Sequence, residues 1–273
     1  METRLTRLVL RTMTALVLMF LYVPLVVVLL YAFNKSQVAS WPPQLWTTKW
    51  FSEAWNNASI RPAVLTSLFV ASLATVIALV LGALVSFAVH RFHFFGRNAL
   101  SFALVLPIAL PGIVTALALS SMIDAMPLLN YGVPAIVVGH ATFCVVVVFN
   151  NVIARLRRTA PSMIEASMDL GADGITTFRH VTFPALRTAI VAGGLLAFGL
   201  SFDEIVVTIY TAGTTQTLPI WIYNTISKPQ NTPEVYPVAV VVLLLAVIPV
   251  VAAVKLAGES GLGPGAVGPN RDA

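Results

Sequence analysis

The sequence predicts an all-α, polytopic membrane protein with six transmembrane helices. Of its 273 residues, 58% are hydrophobic and 10% are charged, whereas a soluble domain carries roughly 25% charged residues. The apolar residues form six blocks, each long enough for the roughly 20 residues that a helix needs to span a bilayer. No block alternates between polar and apolar residues as a membrane β-strand does, and lipid offers no partner for free backbone groups. Each block is therefore predicted to be a helix.

The predicted spans follow one another along most of the chain. The first comes after Arg4, Arg7 and Arg11 and is longer than the roughly 7–15 apolar residues of a secretory signal peptide. We therefore expect it to remain as a transmembrane helix. The six spans cover residues 12–33, 62–89, 99–123, 133–154, 188–212 and 235–256.

The distribution of Lys and Arg predicts the orientation of the spans. With a cytoplasmic N-terminus, twelve of the 16 basic residues fall on the cytoplasmic side, as the positive-inside rule requires. Both termini are then cytoplasmic. The first outer loop carries Trp41, Trp46, Trp50 and Trp55. Because indole rings prefer the headgroup layer, we expect this loop to lie along the outer interface; a role in substrate contact is the alternative.

Other classes of protein fit the sequence poorly. The net charge of +5 comes from residues in short loops between apolar blocks, which is a topology signal rather than a sign of nucleic-acid binding. His90 and His93 flank such a loop and are expected to be interfacial residues, not metal ligands. No metal-binding motif or nucleophile–base arrangement is legible, so we predict neither a metal site nor an enzyme. The lone Cys144 cannot form an internal disulfide.

The long cytoplasmic loop, residues 155–187, is predicted to hold two short helices. Ser162 can cap the first, with Glu165 three residues later as in a capping box. Gly171 stands where a left-handed C-cap is expected, and Asp173 can cap the second helix.

The second short helix would present Phe178 and Val181, and Pro184 would restart the chain into the fifth span. Such a compact, capped element is more than a turn requires. It is therefore either an amphipathic helix at the membrane surface or a docking element for a cytoplasmic partner.

The loop also contains Glu165-Ala166-Ser167, Gly171 and Val181-Thr182-Phe183-Pro184 at fixed offsets. This spacing resembles the EAA loop of bacterial binding-protein-dependent ABC importer permeases, whose pattern is EAA, three residues, G, nine residues and I-x-L-P. Ser167, Val181 and Phe183 depart from that pattern by modest changes of size. The resemblance extends over about residues 62–256.

The resemblance implies the permease subunit of a type I ABC importer in a bacterial inner membrane. Residues 1–61 would form an N-terminal span and outer loop, 62–256 the permease domain, and 257–273 a Gly- and Pro-rich tail expected to be disordered. The implied partners are a second permease subunit, two copies of an ATP-binding subunit, and an external solute-binding protein that docks on the outer loops, including Trp41–Trp55.

This type of permease works by gating, and its energy comes from a partner. The chain has no phosphate-binding loop, so ATP and Mg are expected at the ATP-binding subunit and no cofactor is expected on this chain. The resemblance assigns docking on that subunit to the long cytoplasmic loop, residues 155–187, which is the coupling loop of such permeases. An equally simple role for Glu165 is to close its own capping box. The residues implied in coupling are Ile164, Glu165, Ala166, Met168, Leu170 and Gly171.

A pair of carboxylates lies within the fifth predicted span. Charges inside a span are costly and usually mark function, and Asp203 and Glu204 follow Phe202 there. Neighbouring helical residues point about 100° apart, so one carboxylate can line a solute pathway while the other pairs with a neighbouring helix. The alternative is a buried polar group that another helix satisfies. Two close carboxylates in a pathway would attract a cation.

A second resemblance concerns the solute. Residues 201–207, 217–219 and 231–234 are similar to the spermidine/putrescine permease branch of the family, and so is the stretch 106–112. Pro107 and Pro111 in that stretch lie four apart on one helix face and are expected to kink the third span, either opening space for solute or shaping packing. Branches for phosphonates, opines, ferric iron and thiamine share parts of the pattern.

Two other functions remain open from the sequence. An ion- or proton-coupled secondary transporter would use Asp203 and Glu204 as its relay. A membrane scaffold without a transport role is the third possibility.

Overall fold

The computed structural model describes residues 4–36, 41–43, 46–126, 130–227 and 233–259. Across these ranges every regular element is a helix, and the β-pairing amounts to one isolated bridge between Asn34 and Trp46. The predicted all-α class is confirmed. The α-helices are α1 (Arg4–Ala32), α2 (Lys49–Asn56), α3 (Ile60–Arg91), α4 (Arg97–Ala109), α5 (Gly112–Ala125), α6 (Val133–Arg158), α7 (Pro161–Asp169), α8 (Gly174–Thr177), α9 (Phe183–Phe202), α10 (Val206–Thr211), α11 (Leu218–Ile226) and α12 (Val235–Glu259).

Four continuous helical stretches in the described part of the chain are long and apolar enough to cross a membrane. They are α1, α3, α6 and the stretch Gly174–Phe202, which joins α8 to α9; α4 and α5 together add a fifth if the bent pair is one span. The sixth predicted span lies in α12. The apolar stretch of α12 in the described part of the chain, Val235–Val247, is shorter than the other spans. Helix α12 continues through 259, and the rest of the predicted tail, 260–273, lies outside the described residues.

The third predicted span is broken rather than kinked. Helix α4 ends at Ala109, α5 begins at Gly112, and their axes differ in direction by 106°. Pro107 is accommodated inside α4. Leu110, which precedes Pro111, is extended with φ −79° and ψ 147°, the conformation that the proline ring favours for the residue before it. The predicted kink is therefore a full change of helix direction.

The fifth predicted span is also two helices. Helix α9 ends at Phe202, and the short helix α10 starts at Val206. The intervening residues, Asp203, Glu204 and Ile205, form a break. The expectation that Asp203 and Glu204 point about 100° apart on one helix is therefore wrong, because neither lies inside a helix.

The contacts divide the chain into two compact units. The first comprises Met1–Arg61 and Trp221–Ala246, and the second Pro62–Ile220 and Val247–Ala273. In the first unit, the side chains of α1 are largely exposed, as expected for a lipid-facing helix. Between α1 and α3, the Trp50 indole N–H donates to the Asn34 carbonyl at 2.7 Å, and Trp50 is 4% exposed. Trp41, Trp46 and Trp55 remain exposed.

The core of the second unit forms around α6. Apolar side chains of α6 pack against α3 and α9, and this core includes Val148, Val152 and Leu186. Glycines allow the helices to approach closely: a Cβ at Gly82 of α3 would lie 2.9 Å from the Val145 carbonyl oxygen and from Val148. Because protein interiors are close-packed, such a contact leaves no room for a side chain.

We expect Gly82→Ala to destabilise the protein. The new methyl would overlap backbone and side-chain atoms of α6, and overpacking of this kind costs about 1–3 kcal/mol. Thermal unfolding of the detergent-solubilised protein measures the effect. Gly199→Ala is the matched control, because a Cβ there meets nothing within 4 Å. Equal unfolding temperatures for both variants would contradict the packing described here.

Candidate functional site

Helix α7 begins two residues earlier than predicted. Pro161 occupies its first turn, Ala160 is the N-cap residue, and no side chain caps the helix. The predicted capping box between Ser162 and Glu165 is therefore wrong. The reason is that proline is favoured at the first helical position, which moves Ser162 into the helix and leaves Glu165 in its middle, exposed to solvent.

The end of α7 follows the prediction. Gly171 has φ +87°, its N–H donates to the Met168 carbonyl at 2.9 Å, and the Ala172 N–H donates to the Ser167 carbonyl at 3.1 Å. These two hydrogen bonds form a Schellman motif, which satisfies the free carbonyls at the helix end. Gly171 is thus required by the backbone, since a Cβ there meets nothing within 4 Å.

Substituting Gly171 tests this backbone requirement. We expect Gly171→Ala to lower the thermal unfolding temperature of the detergent-solubilised protein, because a left-handed alanine costs about 1–2 kcal/mol and would distort the turn after α7. Gly171→Asn should be milder, since asparagine tolerates this conformation. Gly174→Ala is the control: its Cβ would also meet open space, and its φ is not positive. A lower unfolding temperature for the Gly174 variant alone would refute this account.

Helix α8 is capped as predicted and then runs into α9 without interruption. The Asp173 carboxylate accepts the Thr176 N–H at 2.8 Å, and hydrogen bonding to Thr176 lowers the pKa of this carboxyl below its usual range. A π-helical turn, Phe178–Thr182, follows, in which the Phe183 N–H donates to the Phe178 carbonyl five residues back. Pro184 therefore does not restart the chain: the helix is continuous through it.

Side-chain contacts fix α7 against α8, and hold the π-helical turn and the start of α9 against the membrane helices α3 and α6. Ser167 Oγ lies 3.1 Å from Thr177 Oγ1, so the serine that departs from the EAA pattern joins α7 to α8. The Phe178 ring meets the Phe87 ring of α3 edge-on, with centroids 5.5 Å apart. Arg155 Nε of α6 donates to the Ala185 carbonyl at 2.9 Å, which gives this basic residue a packing role beside any topological one.

The α7–α8 segment, Pro161–Thr177, exposes an apolar surface. Leu170 is 90% exposed and Ile175 is 78% exposed. Of the residues predicted to mediate coupling, Glu165, Ala166, Met168, Leu170 and Gly171 are exposed and Ile164 is half-buried. Sequence reasoning missed Ile175, although an isoleucine two positions after the Asp173 cap was a legible signal. Exposed apolar side chains grouped in this way are typical of a docking surface.

The two helix breaks of the second unit lie side by side. A Cβ on Gly112, the first residue of α5, would lie 3.8 Å from Val206 Cγ1, in the first residue of α10. Pro111, at the break between α4 and α5, is exposed, whereas Pro107, inside α4, is half-buried. Irregular backbone at membrane depth is tolerated where it is covered by protein or lines a cavity, and transporter solute sites often lie at broken helices.

The two carboxylates at the α9–α10 break have different surroundings. Glu204 Oε1 accepts the Val207 N–H at 3.0 Å, and the Glu204 carbonyl accepts the Thr208 hydroxyl at 2.7 Å. Glu204 therefore holds the start of α10. Asp203 is exposed, and none of the described residues donates a hydrogen bond to its carboxylate. Asp203 is thus the carboxylate available to a cation.

An aromatic pair precedes Asp203. The Phe198 and Phe202 rings stack with centroids 6.0 Å apart and an interplanar angle of 19°. Phe202, predicted from sequence as a pathway residue, is half-buried. Aromatic faces attract ammonium groups, so the aromatic pair and the Asp203 carboxylate bring two cation-attracting groups to the C-terminal end of α9.

A buried histidine next to this break was not singled out from the sequence. His140 Nδ1 lies 2.8 Å from Ser201 Oγ, and its Nε2 lies 2.8 Å from Thr208 Oγ1. The sequence did contain a signal for it, because a histidine stands within the apolar block 133–154. An ionisable residue inside a membrane span usually marks a functional site.

Comparisons with known proteins agree with the sequence motifs. Residues 78–257 match the family described as "Binding-protein-dependent transport system inner membrane component". The chain is 32% identical to the spermidine/putrescine transport system permease protein PotC of Shigella flexneri, over 90% of this chain and 92% of that protein. It is also 32% identical to the putrescine transport system permease protein PotI of Escherichia coli (strain K12), over 82% of each chain.

A solved structure has a similar fold. It is a bacterial ABC transporter involved in the import of the acidic polysaccharide alginate, with a TM-score of 0.68 over 96% of this chain and 99% of that chain. The sequences are 14% identical, so this likeness concerns the fold alone.

Proposed function

Because this chain belongs to the family of binding-protein-dependent transport system inner membrane components, we propose that it forms part of the solute pathway of a polyamine importer. It is a multi-pass membrane protein and the permease subunit of an ABC importer, not an enzyme. The observation that carries the choice of solute class is the exposed Asp203 carboxylate at the α9–α10 break. Polyamine amines stay protonated near neutral pH, as a lysine amine does, and a carboxylate favours such a cation over an anion.

Relatives support the same solute. The PotC and PotI proteins bear the names of spermidine/putrescine and putrescine transport systems. Within the family, phosphonates are anionic, and a free carboxylate at the break disfavours them. Opines, ferric iron and thiamine are the remaining candidates, and the uptake experiment below separates them from polyamines.

The α7–α8 segment is the proposed contact with the ATP-binding subunit. Its exposed Met168, Leu170 and Ile175 provide an apolar surface, with Glu165 among them. An ABC importer requires an ATP-binding subunit and a solute-binding protein as partners. We propose that ATP and Mg bind to two copies of the ATP-binding subunit, since this chain carries no phosphate-binding loop. We also propose that a second permease subunit completes the transporter.

The outer segment of the first unit is the proposed dock for the solute-binding protein. Trp50 and its hydrogen bond to Asn34 make this segment a folded surface, and Trp41, Trp46 and Trp55 are exposed on it. Large exposed aromatic side chains are common in protein interfaces. This placement corresponds to a chain with both termini in the cytoplasm of a bacterial cell.

Uptake of radiolabelled spermidine and putrescine tests the proposal. Cells with and without the gene are compared, and ATP depletion and a proton uncoupler are separate arms. We expect uptake that needs the gene and ATP and survives the uncoupler. Uptake abolished by the uncoupler while ATP persists would favour the ion-coupled transporter with Asp203 and Glu204 as relay. An absence of gene-dependent amine uptake would refute the choice of solute but not the permease family.

A further inference from the structure

His140 connects the two sides of the α9–α10 break. It lies within α6 and is 1% exposed. Ser201, which it meets through Nδ1, is in the last turn of α9, and Thr208, which it meets through Nε2, is in α10. Both hydroxyls are buried too. The imidazole therefore spans the break, with one nitrogen on each side.

The hydrogen bonds at His140 have a definite direction. Thr208 has one hydroxyl hydrogen, and it donates to the Glu204 carbonyl, which can only accept. Thr208 must then accept from Nε2–H of His140. In the neutral imidazole, Nδ1 is then left as the acceptor for the Ser201 hydroxyl. The result is a chain of donors from Ser201 through His140 and Thr208 to the backbone of the break.

Close packing holds His140 near α10. A Cβ at the preceding residue, Gly139, would lie 2.8 Å from Val207 Cγ1, so only glycine allows α6 and α10 to approach this closely. The Gly132 N–H, before α6, donates to the Thr211 carbonyl of α10 at 2.9 Å, and the Cys144 thiol of α6 lies 3.3 Å from the Ala197 carbonyl of α9. Each of these two hydrogen bonds reaches one side of the break, whereas His140 bonds side chains on both sides.

We propose that His140 is a positioning residue for solute passage, because it holds Ser201 and Thr208 on either side of the break and so fixes the direction of Asp203. The inference rests on the proposed role of Asp203 in the pathway. His140 itself is buried and does not touch solute. Buried polar networks of this kind specify one arrangement when every member is satisfied, and here the arrangement leaves Asp203 exposed.

A double-mutant cycle between His140 and Asp203 tests the proposal. The Michaelis constant (KM) and the maximal rate of polyamine uptake are measured for His140→Ala, Asp203→Asn and the double variant, at equal amounts of transporter in the membrane. We expect His140→Ala to raise KM at least about threefold in the native background, and to have almost no further effect when Asp203 is already asparagine. His140→Gln, which keeps one donor and one acceptor, should recover part of the loss. Additive effects on KM would overturn the proposal.

Two further variants separate positioning from folding. Thr208→Val removes one hydroxyl while keeping the side-chain shape, so it tests the network if His140→Ala does not accumulate. Ser86→Ala is the control: Ser86 Oγ bonds the Gly82 carbonyl and lies 3.2 Å from the Phe149 carbonyl of α6, in a buried contact that does not involve the break. We expect Thr208→Val to raise KM and Ser86→Ala to leave it unchanged. If both variants lower only the amount of protein, the proposal is refuted.

A readout that does not depend on the solute completes the test. The assembled transporter carries Cys144→Ala, and a water-soluble thiol reagent then labels a single cysteine introduced into this chain. The labelling rate is compared for Asp203→Cys, at the exposed carboxylate position, and for Val207→Cys, at a position that is 2% exposed. Adding His140→Ala should accelerate labelling of Val207→Cys severalfold. An unchanged rate would refute the role of His140 at the break. His140-dependent labelling in a transporter that moves no polyamine would instead refute only the proposed solute.

Discussion

Replacing Asp203 by asparagine is expected to lower polyamine uptake about 10- to 100-fold at low solute concentration, at unchanged protein level. A hydrogen bond to a charged group contributes about 1.5–3 kcal/mol, and about 1.4 kcal/mol corresponds to a factor of ten. The folded chain should tolerate the change, because none of the described residues donates a hydrogen bond to this exposed carboxylate. Initial uptake rates over a range of spermidine concentrations measure the effect.

The neighbouring glutamate provides the matched control. Glu204→Gln keeps an oxygen that can accept the Val207 N–H, as Glu204 Oε1 does at 3.0 Å. We therefore expect it to retain most of the uptake, although the charge removed is the same. Uptake by Asp203→Glu, which keeps the negative charge on a longer side chain, should lie between that of the unchanged protein and that of Asp203→Asn. A larger loss from Glu204→Gln than from Asp203→Asn would reverse the roles assigned to these carboxylates.

Reversing the charge of Glu165 is expected to abolish ATP-driven uptake without loss of membrane insertion. Glu165 is exposed in the middle of α7 and takes part in neither a helix cap nor an ion pair with a described residue. Glu165→Lys should therefore cost the isolated chain little. At a docked surface, a reversed charge is costly because like-charge contacts across an interface cost several kcal/mol.

Two measurements on this variant locate the defect. The amount of Glu165→Lys protein in the membrane should be normal, and co-purification of the ATP-binding subunit should be lost. Glu165→Gln, which removes the charge without reversing it, should show a partial effect. Normal uptake by Glu165→Lys at a normal protein level would contradict the assignment of α7 to coupling.

Hydropathy and charge were sufficient to predict where the long helices lie, but not where they break and not the short helices α2 and α11. The apolar blocks 99–123 and 188–212 were legible as spans, and Pro111 and Asp203 were legible as unusual residues within them. Whether such a residue bends a helix or ends it depends on what satisfies the freed backbone groups. At the second break the Glu204 carboxylate and the Thr208 hydroxyl satisfy two of these groups. The Thr208 hydroxyl is in turn bonded by His140, which is distant in sequence.

The α7–α8 segment shows the same limit at a smaller scale. The left-handed Gly171 and the Asp173 cap were predictable because each depends on a few neighbouring residues. The capping box failed because two local signals competed, and Pro161 took the first helical position. The contact between Ser167 and Thr177 depends on how α7 and α8 pack against each other. No local sequence pattern predicts that packing.

The hydrogen bonds within the α7–α8 segment have a mechanical consequence. The Schellman turn at Gly171, the Asp173 cap and the Ser167–Thr177 contact satisfy this segment from within, so its shape does not depend on a partner. We therefore expect α7 and α8 to move together as one rigid piece when a displacement is applied to α7. Bending is then expected at the two ends of this segment, at Thr159 and at the π-helical turn that begins at Phe178.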